Sequence, residues 1–205
     1  MLFLNTQKMN VTSDKWTKII LIITTLILIG FEVHHISINS HYKWDFIFLI
    51  LGLYALFFLR KKINLHPFHY FLVAGFLILH NFGNETFDFY SLYPLGIEYD
   101  FWLHGYFGFI ASLILYRSLT RYKIKPRYFI VSVILVTILG LSAFHELVEF
   151  AGEVTLGKGG GIFFIGPGDL DEWDTQKDML NNLIGAIIGL TLYINWNLIK
   201  GRKPI

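Results

Sequence analysis

Cysteine is absent from the 205-residue chain, and its absence excludes disulfides, thiolate metal sites, iron–sulfur clusters and cysteine nucleophiles. Any metal bound here has to be held by imidazole and carboxylate. Charge is also scarce: Asp, Glu, Lys and Arg make up 16% of the residues against 54% hydrophobic, and the mean hydropathy is +0.53. Soluble domains run at about 45–50% apolar on a wider count that includes glycine. The composition therefore excludes an ordinary soluble domain and indicates a membrane protein with a single integral membrane domain over 1–205. No sequence repeat and no low-complexity tail is present. The net charge of +2 says little by itself, because in a membrane protein the division of charge between the two sides carries the information.

What the chain does have is apolar runs, at 19–31, 46–59, 68–79, 101–115, 129–144 and 183–199. Several are shorter than the roughly 20 residues of a straight span, but Trp, Tyr, His or small residues flank each one and complete a crossing at the interface. The expected fold is all-α, a polytopic bundle of about six transmembrane helices over about 17–36, 44–60, 67–82, 100–119, 127–150 and 178–199. The first run comes after Lys8, Lys15 and Lys18, like a signal peptide, yet no small-residue cleavage site succeeds it, so it is read as a retained helix. Glu32, His34 and His35 then stay in the mature protein.

Of the 17 Lys and Arg residues, 14 fall on alternate loops: Lys8, Lys15 and Lys18, then Arg60 to Lys62, then Arg117 to Arg127, then Lys200 to Lys203. By the positive-inside rule that side is cytoplasmic, and with it both termini. The acids do the reverse, since apart from Asp14 every Asp and Glu falls at or beyond the other ends of the helices. Acidic residues contribute little to orientation, so topology does not account for their clustering, and a site does. Long connections lie on the same side, at about 81–99 and 151–177. Loops of more than about 12–15 residues are usually functional or disordered. The apolar insert Ile162 to Ile165 between two glycine clusters suggests a loop that folds back over the membrane or a site.

Three pairs of polar residues four apart mark the acidic ends of the helices: Asp100 with His104, His145 with Glu149, and Asp174 with Asp178. Four residues is one helical turn, so each pair shares a face. On the last helix Asp174, Asp178, Asn182, Gly185 and Gly189 form one polar-to-small stripe, and small residues let membrane helices approach closely. Imidazole nitrogen and carboxylate oxygen suit Zn, Mn or Fe, with three protein ligands and an open position in a catalytic site. The expected ligands are His104, Glu149 and Asp178, with His80 and Asp100 as alternatives. Glu146 is the expected general base and Asp174 an orienting group beside it. No HExxH motif is present; His145 to Glu149 only echoes one.

Plainer readings stand beside this one. An Asp at a helix start is commonly a cap, which covers Asp100 and Asp174. His80 and His145 can bridge interfacial groups, and Glu146 and Glu149 can pair with Lys177 or Lys158, or share a proton.

At these residues the chain resembles the YjdF-like family of uncharacterised bacterial and archaeal inner-membrane proteins. The likeness runs from His80 to Gly189 and is carried by Tyr99-Asp100 with His104 and Gly108, by Glu146-Leu147-Val148-Glu149, and by Gly168-Asp169 with Trp173 to Met179 after it. The resemblance implies a multi-helix membrane protein with shared polar residues Asp100, His104, Glu146, Glu149, Asp174, Gln176 and Asp178. His145 departs from the family pattern, where an aromatic is usual, which favours Glu146 with Glu149 over His145 with Glu149.

The function expected is a metal-dependent hydrolase or transferase with a His/Asp/Glu site facing the extracytoplasmic side of the cell membrane. Its partners would be the lipid bilayer and a lipid or lipid-linked substrate, with no nucleic acid. Two other classes use the same residues: a cation or proton transporter or channel, and a noncatalytic membrane assembly or binding protein.

Overall fold

The computed structural model describes residues 11–40, 45–83, 89–120, 122, 124, 126–156 and 173–199. Six α-helices account for most of them: α1 (Val11–Ser37), α2 (Asp45–Leu59), α3 (Pro67–Gly83), α4 (Tyr99–Thr120), α5 (Arg127–Leu156) and α6 (Asp174–Ile199). No strand occurs among the described residues. Relative to the expected helices, α5 continues about a turn and a half further, to Leu156, and α6 begins a turn earlier, at Asp174. Both extensions carry acids, which apolar runs cannot register but helix geometry tolerates at an interface. The insert Ile162 to Ile165 lies outside the described residues, as do Gly168 and Asp169.

Helix ends obey local chemistry. After α1, Asn39 adopts φ 54, and Ser40 N–H donates to the His35 carbonyl while Asn39 N–H donates to that of Ile36. These two bonds are the Schellman closure, which needs a left-handed residue that Asn tolerates. Asn64 repeats the φ of 54 after α2, with Leu65 N–H returning to the Arg60 carbonyl. Proline at the start of α3 suits a first turn whose N–H groups have no helical partner.

Among the described residues, α1, α5 and α6 are long and apolar enough to cross a membrane, and α2 is apolar but shorter. The outer surface agrees: Leu26, Phe58, Phe71, Phe144 and Leu192 are all more than half exposed. Such contiguous apolar exposure is a liability in water and the normal surface in lipid.

Two separate cores divide the bundle. Leu21, Leu28, Leu49, Leu53, Tyr70 and Leu77 pack α1, α2 and α3 together. Tyr116, Ile130, Ile134, Ile138, Ala186 and Leu190 do the same for α4, α5 and α6. The halves meet along α3 and α4, where the Tyr99 and Tyr106 hydroxyls donate to the carbonyls of Leu79 and Leu72 at 2.9 and 3.1 Å. At the basic end Arg117 and Ser118 of α4 donate to the carbonyls of Asn64 and Ile63. Asp14, the one acid at that end, takes both Arg60 at 2.8 Å and Lys18 at 3.2 Å.

Candidate metal centre and its cavity

The site is positioned by the tight packing of α4 on α6. A Cβ at Gly108 would overlap the Asn182 backbone, and one at Gly185 would overlap the Gly105 backbone. Only glycine permits this approach, and it brings the polar faces of the two helices together one turn above. There the His104 Nε2 lies 3.4 Å from an Asp100 oxygen and 3.5 Å from an Asp178 oxygen. One ligand-capable atom from each of the three falls within 4.8 Å of the others, so a single cation could be reached by all. On its other face the His104 Nδ1 is 3.0 Å from the Asn182 amide nitrogen. That same nitrogen donates to Ser142 of α5 at 2.7 Å. The Asn182 Oδ1 is buried and has no hydrogen-bond partner.

α5 contributes a second cluster. The His145 Nε2 lies 3.2 Å from Glu149, and the His145 and His104 rings are 6.0 Å apart. Glu146 faces elsewhere: one oxygen accepts from the Thr175 hydroxyl at 3.0 Å, and the other is buried without a partner. On α3, His80 lies 3.5 Å from Asp45 of α2.

Both clusters open onto one cavity of about 460 Å³, within the roughly 300–1,000 Å³ usual for small-molecule sites. His80, His104, His145, Asp100, Glu149, Asp174 and Asp178 line its polar end. Below them the walls are apolar, with Gly52, Leu53 and Leu56 from α2 and Phe107, Ile114 and Leu115 from α4. Four carboxylates around one largely apolar space are stable together only with shared protons or a cation.

The sequence-expected residues are thus partly regrouped. His104 and Asp178 come together as expected, while Asp100 occupies the third corner assigned to Glu149, whose carboxylate is on His145. His80 lines the cavity but its near partner is Asp45. Glu146 does not line the cavity; Glu149, His145 and Asp174 do. The pairing of His145 with Glu149, disfavoured by the family pattern, is the one that forms. Asn182, Thr175 and Asp45 lay outside the expected site. Asn182 had a visible signal, its place on the stripe of α6 one turn beyond Asp178; Asp45 was readable only as one of the clustered acids and Thr175 only as part of the stretch from Trp173 to Met179.

Six helices with a lipid-type exterior and a carboxylate and imidazole cluster at one end of the bundle define an integral membrane protein. The chain belongs to the family described as "Predicted membrane protein (DUF2238)", whose model matches residues 15–198. It is similar to inner membrane protein YjdF of Escherichia coli (strain K12), at 27% identity over 179 residues, 80% of this chain and 81% of the relative. No solved structure matches it. The likeness to YjdF-like proteins read from the sequence is thereby shown, and with it residence in a membrane.

Proposed function

We propose that the protein is a metal-dependent hydrolase or transferase acting on a lipid or lipid-linked group at the acidic face of the bundle. The observation that carries this reading is the convergence of His104, Asp100 and Asp178 on one point at the polar end of an apolar cavity. One imidazole and two carboxylates form a donor set that suits Zn, Mn or Fe and leaves positions open. A divalent ion there would polarise an acyl or phosphoryl oxygen and activate water. The chain's own groups do the rest. Asn182 and Ser142 orient His104 from behind, as outer-shell partners of metal ligands do. The pair His145 and Glu149 lines the cavity and is placed to move a proton, so it replaces Glu146 as the general base. Asp174, also lining the cavity, orients from the α6 terminus.

A cation or proton path draws less support, because the cavity walls beyond Asn182 are apolar and offer no relay. By the positive-inside rule the acidic face is extracytoplasmic.

Metal titration of the purified protein tests the reading. Wild type is expected to bind one divalent ion per chain, His104→Ala and Asp178→Asn to bind none, and Glu146→Gln to bind as wild type. Absence of stoichiometric binding by wild type would falsify it.

A further inference from the structure

The apolar part of the cavity lies between the two cores, where nothing among the described residues fills it. α3 and α4 close its back by packing on each other, whereas α2 and α5, which flank it in front, make no substantial contact among the described residues. Gly52 of α2 and Leu141 of α5 both line the cavity and are both exposed, so they are the lips of a lateral opening. The surfaces beside those lips carry exposed Leu51 and Phe58 on α2 and Val136 and Phe144 on α5. The opening therefore faces hydrocarbon rather than water.

We propose that this cleft seats one acyl chain of a membrane phospholipid, which enters sideways between α2 and α5 and brings its ester and phosphate region to His104, Asp100 and Asp178. The proposal rests on the lipid-directed reading above and adds the part of the molecule that is held and its route. Apolar walls hold water poorly, and the surrounding medium offers chains. From Asp100 to Leu115, both lining residues, α4 rises about 22 Å. That is more than half of the roughly 30 Å hydrocarbon core, so the cleft matches a chain in depth. The apolar walls hold the chain by themselves, while the cation that the same cluster is built to take offsets the charge of a phosphate beside these carboxylates.

Gly52 offers a clean block, since a Cβ there meets nothing within 4 Å and added bulk extends into the opening rather than into packing. The full chain is reconstituted in nanodiscs of a phospholipid with a photoreactive diazirine at one acyl terminus, irradiated and mapped by mass spectrometry. Labelling is expected on α4 between Phe107 and Leu115. Gly52→Trp or Leu141→Trp should cut it at least fivefold, while Leu192→Trp on the outer face of α6 leaves it unchanged. Metal binding by Gly52→Trp reports that the fold is intact. Labelling confined to outer faces such as Leu26 and Leu192, or undiminished in both lip variants, overturns the proposal. The two readings fail separately: Asp178→Asn loses metal but should keep the label, and a wild type that takes the label without metal sinks only the catalytic reading.

Discussion

Asn182 touches His104 on one side and Ser142 on the other, with its own carbonyl oxygen buried and unpartnered. With the amide N–H donating to His104 Nδ1, the ring hydrogen sits on Nε2 and points at Asp100 and Asp178. Turning the amide by half a rotation gives its oxygen two partners: it accepts from Nδ1–H and from the Ser142 hydroxyl, the Nε2 lone pair faces the carboxylates as a ligand, and the amide NH2 takes the buried place the oxygen held. The orphaned oxygen thus favours the flipped form when a cation is bound. Asn182→Leu is expected to lower metal affinity by about 10- to 100-fold, and Asn182→Asp, which keeps the acceptor, to lower it far less. Equal affinities by calorimetry for Leu and wild type would remove Asn182 from the site. At this scale the sequence was informative where one helical turn links two polar residues, as in Asp100 with His104. It was silent on which way α5 is turned about its axis, so Glu149 was expected as the third ligand and Asp100 only as an alternative, where the structure brings Asp100 to His104 and Asp178. Asn182 was readable as a member of the α6 stripe, but its pairing with His104 and Ser142 was not.

The approach of α4 to α6 turns on Gly108, Gly185 and Gly189, at each of which a Cβ would overlap the facing helix. Gly105 and Gly108 were readable as small-residue packing, as was Gly185, but their register was not, because the sequence does not say which glycine meets which backbone. The structure sets Gly185 against Gly105 and Gly108 against Asn182, and that register fixes the height of Asp178 beside His104. Gly185→Val is expected to destabilise by about 1–3 kcal/mol through overpacking and to reduce metal binding with it. Gly140→Ala, on an exposed face of α5 where a Cβ meets nothing within 4 Å, should leave the melting temperature unchanged or slightly higher. Thermal unfolding in detergent compares the two. If Gly185→Val melts with wild type, the close approach is not what holds α6 in place.

For the whole molecule, sidedness is an expectation from the 14 basic residues on alternate loops; the chain has no cysteine, so single introduced thiols report without background. Leu95→Cys lies in the acidic-end connection at 89% exposure; Tyr122→Cys lies at the basic end at 56%. In intact cells a membrane-impermeant maleimide should label the first and reach the second only after permeabilisation. The reverse pattern would put the site in the cytoplasm. The number of helices and the charge division were legible because both are written in runs of like residues. The cavity was not, since an unfilled space between two cores depends on which faces fail to meet.

Those two cores also bear on how the protein is made. The buried residues that pack α1, α2 and α3 together all precede Asn81. Among the described residues their links to the later helices include the contact of α3 with α4, Ile114 of α4 against the first core, the two tyrosine bonds and the two bonds at the basic end. A chain synthesised from its N-terminus can therefore finish its first half while the second is still on the ribosome. The cleft then comes into being last, at the moment the halves dock, inside a bilayer whose lipids are already present to occupy it.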